Sequence, residues 1–335
     1  NVAKRLSALF ERRGQYSKAI EVLRRASKAN SQNPDFLSAY GDAAAHRWLL
    51  DEAAEAYRKA LEAEPNFLYA KARLARVLAR RNQYDKAREI LKPLVENDGG
   101  YVPAAVALGL VLTAEGRTED AAEVLSDVAA DSDAEVARRM ALCKVYLQAG
   151  DNAQAVRHAQ TAVSMSKSPA TYAMLSRAFL AGDELSKAGA AAQGAMEQNP
   201  YSARAHLALA RVQAARDETE KALKTCEKAL ELDPFLVDAM ALQGELHLEL
   251  DEPREAASAW QEALELNQWN QSLRWKLAEL LRTKLDSPRE ATRQYRRCAE
   301  MGGPRAEKAA EWVDKLKTTH KGKDSPEPSG GEQAP

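Results

Sequence analysis

The sequence is poor in the residues from which catalytic and redox centres are built. It has 3 cysteines and 5 histidines in 335 residues. Cys143, Cys226 and Cys298 form no C-x-x-C pair, and their odd number argues against a disulfide framework, which favours a reducing, cytoplasmic setting. The histidines, His46, His158, His206, His247 and His320, lie far apart without H-E-x-x-H or other ligand spacing, so no metal site is expected. No G-x-x-x-x-G-K-[ST], G-x-G-x-x-G or G-x-S-x-G occurs, which removes the common phosphate cradles and the nucleophile elbow. Carboxylate pairs such as Glu52 and Glu55 recur at helical spacing as ordinary exposed charge. The expectation is a non-enzymatic chain without a cofactor.

Charge of one sign is also lacking. Lys plus Arg number 48 against 49 Asp plus Glu, and aromatics make up only 6%, so neither a global basic excess nor a stacking platform for nucleic acid is expected. The longest nearly apolar run, Val102 to Ala114, holds Pro103 and Gly109 and is too short to span a bilayer. The first residue is Asn1 rather than Met. A signal peptide, a membrane anchor or a catalytic domain upstream of it would change the localisation, or make this chain the regulatory or substrate-binding part of a larger enzyme.

What is present is repetition. Ala19, Ala53, Ala87, Ala121, Ala155, Ala188, Ala222, Ala256 and Ala291 follow one another at steps of 34, with one step of 33 and one of 35. Twelve residues before most of them, and thirteen before Ala291, stands a small side chain: Ser7, Gly41, Ala75, Gly109, Cys143, Ser176, Ala210, Gly244 and Ala278. Four residues after each alanine comes the series Leu23, Tyr57, Leu91, Leu125, Ala159, Ala192, Cys226, Trp260 and Tyr295, and three further on a second packing residue. The i, i+4, i+7 spacing marks one face of an α-helix. Turn residues fall between two helices of each unit (Gly14, Asn82, Gly116, Gly150, Asp183, Asp217), and Pro65, Pro200 and Pro234 punctuate the joins.

These units resemble tetratricopeptide repeats, with Tyr40-Gly41, Ala53, Tyr57, Ala60 and Pro65 the best copy and Gly244, Ala256, Trp260 and Ala263 another; the opening Trp of the family pattern is absent throughout. The resemblance implies an all-α fold: a right-handed α-solenoid of nine hairpins over residues 1–302, beginning near 1, 34, 68, 102, 136, 169, 203, 237 and 271, drawn out as an elongated curved body. After Gly302-Gly303-Pro304, residues 303–318 are expected to form a capping helix with Trp312, Val313 and Leu316 on its apolar face, and 319–335 a disordered tail. The Ala- and Arg-rich composition is similar to that of bacterial proteins from GC-rich genomes.

The resemblance also implies that the first helix of each unit lines a concave groove where a protein or peptide partner binds, making the chain a scaffold or adaptor in a multiprotein complex. By register, that groove is basic in the middle, with Arg73, Arg76, Arg80, Lys144, Arg177, Arg204 and Arg211 interleaved with Val106, Leu110, Met140, Leu147, Leu180 and Leu207. It ends in a second, acidic segment of Asp238, Glu245, Glu249 and Glu279. Basic and apolar residues on one concave surface suit an acidic, amphipathic or extended peptide; the alternative is a solvated charged face with the apolar residues packed between neighbouring helices. Two binding signatures of the family do not transfer. The ninth position of the units carries no Asn for a carboxylate clamp, and the positions of an asparagine ladder hold residues such as Ala39, Arg73 and Ala107.

Overall fold

The computed structural model describes residues 2–12, 15–96, 100–128, 132–302 and 305–321. Among these the chain forms nineteen helices and no strand. They pair in chain order as α1 (Val2–Arg12) with α2 (Tyr16–Ala29), α3 (Pro34–His46) with α4 (Leu50–Ala63), α5 (Leu68–Arg80) with α6 (Tyr84–Glu96), and α7 (Val102–Ala114) with α8 (Thr118–Ser126). The pairing continues with α9 (Ser132–Ala149) and α10 (Asn152–Met165), α11 (Pro169–Ala181) and α12 (Leu185–Gln198), α13 (Ala203–Ala214) and α14 (Thr219–Leu232). Last come α15 (Val237–Glu249) with α16 (Pro253–Leu266), and α17 (Gln271–Thr283) with α18 (Pro288–Glu300), followed by α19 (Ala306–Lys321). The Gly14 turn and the Gly303-Pro304 join lie outside the described residues.

Hairpins two to nine turn because a left-handed residue follows the first helix, which satisfies the last carbonyls and reverses the chain. Asn82, Gly116, Gly150, Asp183, Asp217 and Asp251 hold φ between 57° and 82° there. All six are residue types that tolerate this conformation. Trp48 takes the same position in the second hairpin at φ 61°, and a bulky side chain rarely adopts that geometry.

Packing within a hairpin is set by one small and one large position. A Cβ on Gly41 would lie 2.8 Å from the Tyr57 ring, one on Gly109 2.8 Å from Leu125, and one on Gly244 2.2 Å from Trp260 Nε1. Where the second helix offers only Ala159 or Ala192, the opposing residue grows to Cys143 or Ser176; Ser176 then donates to the Ala188 carbonyl at 2.9 Å. Volume is thus conserved across the pair, as a close-packed interior requires. The signature alanines, Ala53 through Ala291, are fully buried between the helices.

Two elements depart from the even rhythm. Helix α8 has only 9 residues, and α9 has 18, beginning ahead of the expected start near 136. Helix α19 buries Ala309 and Val313, and its Trp312 ring stacks over Tyr295 at 6.1 Å, covering the apolar edge that the last hairpin would otherwise expose. It runs to Lys321, so 319–321, expected in the tail, are helical; 322–335 lie outside the described residues.

The stack does not stay open as an elongated arc. Successive hairpins rotate until the turns of the first three units meet the joins between the last three. The Trp48 indole donates to the Phe235 carbonyl at 3.1 Å, His46 lies 3.5 Å from Asp233, and Asn82 donates to the Trp269 carbonyl at 3.4 Å. The Tyr16 hydroxyl donates to the Leu232 carbonyl, its ring meets Phe235 edge-on at 5.4 Å, and the Arg47 guanidinium lies 5.0 Å from the same ring. Trp48–Phe235, His46–Asp233 and Asn82–Trp269 share a separation of 187 residues, about five and a half units. Equal spacing is what one turn of a regular superhelix closing on itself produces.

Candidate functional site

Side chains from the first helices converge inside this closed turn on a cavity of about 510 Å³. Its wall carries Arg76 and Arg80 from α5, Lys144 from α9, Arg177 from α11, and Arg204 and Arg211 from α13. They point the same way because each lies on the inner stripe of its helix, while the opposite stripe buries the alanines and leucines of the core. Met140 and Leu207 add apolar wall, and the seam contributes His46, Trp48, Asp233 and Phe235.

Cations outnumber carboxylates on this wall, where only Asp233 and Asp238 carry negative charge. Arg211 lies 3.8 Å from Asp238, and Arg80 donates to the Ala45 carbonyl at 2.8 Å while its guanidinium stacks 4.7 Å from the Trp48 ring. Arg76, Lys144, Arg177 and Arg204 have no hydrogen-bond or ion-pair partner among the described residues. Burial, then Arg73, pulls Arg76 below its ordinary pKa; burial, then Arg177, Arg76 and Arg204, does the same to Lys144. Burial and Arg76 bring Arg80 down to about 10, and burial lowers Arg211 against the opposing pull of Asp238. Water reaches several of these heads, but the surrounding protein wall thins the solvent that would screen them. The arrangement favours an anion.

Beside this cavity lies a recess of about 220 Å³ lined by Tyr69, Tyr101, Val102, Val106, Ala137 and Arg76, with Arg73 at its edge. Arg73 is already engaged, 3.2 Å from Asp42 and stacked 4.9 Å from the Tyr69 ring. The recess is therefore largely apolar apart from Arg73 and Arg76, and since about 150 Å³ suffices for a benzene ring, it has room for one large side chain. Arg76 borders both spaces.

Three residues expected in the groove line neither of these two spaces: Leu110, Leu147 and Leu180 are half-buried against the stacked cores. The acidic segment is internally bonded: Glu245 accepts from Lys276, Glu249 from the Thr219 hydroxyl at 3.1 Å, and Glu279 from Arg282 at 2.7 Å and from the Tyr295 hydroxyl. Only Asp238 of that group lines the cavity. Sequence reasoning missed His46, Trp48, Asp233 and Phe235; a tryptophan at a turn position that other units fill with Asn, Gly or Asp was the available sign.

The remaining titratable candidates are structural. Cys143 and Cys226 are buried thiols whose pKa values burial pushes up to about 11 and about 12, and burial raises Cys298 as well. His206 bonds the Pro200 carbonyl at 2.9 Å, and His247 lies 2.7 Å from Glu252. Among the described residues no cluster of His, Cys, Asp or Glu could hold a metal ion, and no helix is long and apolar enough to cross a membrane.

Three family patterns match the sequence: a tetratricopeptide repeat pattern over residues 6–66, another over 50–108, and a tetratricopeptide repeat-like domain over 144–290. No curated protein matches the sequence. Among solved structures, the chain is similar to one in the APC/C hetero-tetramer Cut9-Hcn1, at 16% identity and TM-score 0.55, over 90% of this chain and 59% of that one. It thus spans about three-fifths of that neighbour's length. It is also similar to a tetratricopeptide repeat protein from Parabacteroides merdae, at 18% identity and TM-score 0.52, over 73% of this chain and 97% of that one. At these identities the likeness concerns the fold, an all-α solenoid. With the repeat rhythm, the paired helices and three matching patterns in agreement, the chain belongs to the tetratricopeptide repeat family, whose repeats serve as protein-binding scaffolds.

Proposed function

We propose that the protein is a non-enzymatic scaffold or adaptor whose concave groove holds an acidic, amphipathic segment of a partner protein during assembly of a multiprotein complex. The observation that carries this reading is the set of four cations, Arg76, Lys144, Arg177 and Arg204, gathered in one cavity with no ion pair or hydrogen bond among the described residues, while Asp233 and Asp238 share the wall. Unpaired like charges held together destabilise the free protein, and a partner carboxylate relieves that cost. Arginine forks match carboxylates bidentately, and the neighbouring apolar recess supplies a place for one large side chain of the same segment.

The test is fluorescence anisotropy with a short labelled peptide of alternating glutamate and leucine. Arg76→Glu, Lys144→Glu, Arg177→Glu and Arg211→Glu together should weaken binding by at least about 100-fold, since each close charge pair is worth about 1.5 kcal/mol or more. Equal affinity for the reversed protein would overturn groove binding.

A further inference from the structure

We infer that the partner segment is encircled: the cationic cavity takes a short, extended, multiply carboxylated stretch of chain with a free end, inserted along the superhelix axis. This deepens the function proposed above and rests on it. The seam of Trp48, His46 and Asn82 against Phe235, Asp233 and Trp269 bars the side of the groove through which a folded surface or a continuous chain would dock. Four seam residues, His46, Trp48, Asp233 and Phe235, also form part of the cavity wall, so the closed side and the binding surface are one structure.

Size and charge narrow the occupant. A helix with its side chains is about 10–12 Å across, so 510 Å³ holds little more than one turn of it. An extended stretch places more carboxylates in that volume and brings them within reach of cations on four different helices. The stretch 322–335 has carboxylates but no large apolar side chain to match the recess.

The seam bears the mark of a contact kept against local cost. Trp48 sits at φ 61°, where the other hairpins use Asn, Asp or Gly. Its indole hydrogen bond to Phe235 and its stacking on Arg80 hold it there. Replacing it with asparagine, the residue at the same turn of the next unit, keeps the backbone geometry and removes the seam contact. Trp48→Asn should therefore fold.

The experiment compares association rates of one acidic peptide in two forms by stopped-flow: with a free end, and fused at both ends to folded domains. Wild-type protein should bind the doubly fused form about tenfold or more slowly, because the seam must open first. In Trp48→Asn the two rates should converge, and Phe235→Ala, which removes the opposing ring, should do the same. Equal rates in the wild type would overturn encirclement, and a gap that persists in both variants would overturn the seam as the barrier. Failure of the free-ended peptide to bind at all would instead overturn the acidic-segment function beneath it.

Discussion

At one register position of the first helices, units three, five, six and seven carry Arg76, Lys144, Arg177 and Arg211, where units eight and nine carry Glu245 and Glu279; of the four cations only Arg211 has a carboxylate in reach, 3.8 Å from Asp238. In the middle, Arg76, Lys144, Arg177 and Arg204 have no partner among the described residues. At the end, Glu245 is held by Lys276, and Glu279 by Arg282 and Tyr295. Asp42, at that position in the second unit, likewise accepts from Tyr57 at 2.7 Å and Tyr69 at 2.6 Å. Glu245, Glu279 and Asp42 on this inner stripe staple helices together, whereas Arg76, Lys144 and Arg177 are left to face the cavity. The sign of a groove residue therefore says less than whether the protein has already satisfied it.

The largest expected effect comes from breaking a staple. In Glu279→Ala the fully buried Tyr295 loses the acceptor of its hydroxyl, and Arg282 loses its carboxylate. An unsatisfied buried donor costs about 1–3 kcal/mol, and with the charged bond added the loss should be about 3 kcal/mol. Urea unfolding should show it while the affinity for an acidic peptide stays within about a factor of two. A fall in affinity at unchanged stability would erase the distinction between the two regions.

The cation surplus of the middle also reaches the outer helices, where pH sharpens the comparison. His158 is buried, stacked on Tyr146 at 5.3 Å, and Arg139, Arg157 and Arg138 lie close enough to oppose its protonation. Burial first, and then these arginines, bring its pKa down from 6.5 to about 4. The unfolded chain takes up this proton as pH falls through 6.5, while the folded chain resists until about 4. Stability present above pH 6.5 is therefore lost in that window, by about 2 kcal/mol at pH 5. Unfolding midpoints measured at pH 7 and pH 5 should diverge less in His158→Gln than in the wild type. Equal divergence would show that this histidine is already solvated or charged.

The hairpins were legible because their causes are local. Small and large residues alternate at fixed spacing, and Asn82, Gly116 and Asp183 mark the turns by the one conformation they tolerate. Arg76, Lys144, Arg177 and Arg211 line one cavity for the same reason, since residues at constant register in successive units share a face. Leu110, Leu147 and Leu180 were ambiguous because the edge of a helical stripe can turn toward the groove or toward the next helix, and all three are half-buried against the cores. The pairing of Glu279 was hidden because one partner, Tyr295, comes from the second helix of the hairpin. The seam was hidden more deeply. A contact across 187 residues is the sum of small rotations at every join, and only Trp48, out of place in its turn, pointed to it.

The smallest effect has the most telling sign. Lys144 is half-buried, and burial together with Arg177, Arg76 and Arg204 opposes its charged form. Lys144→Met keeps a flexible stem of similar length and removes the charge, so it should raise stability by about 1 kcal/mol, the lower end of what replacing a poorly compensated buried charge achieves. Salt provides an independent check: at about 1 M ionic strength the screening length falls to about 3 Å, and the wild type should recover part of the same gain while the variant changes less. Peptide affinity should move the other way and weaken about tenfold, because the relieved repulsion was the free energy that a carboxylate would have exploited. Glu279→Ala lowers stability and spares binding, whereas Lys144→Met raises stability and harms binding. If both variants moved the two quantities in the same direction, the middle and the end of the groove would be one kind of surface, and the unpaired cations would be ordinary solvated charge.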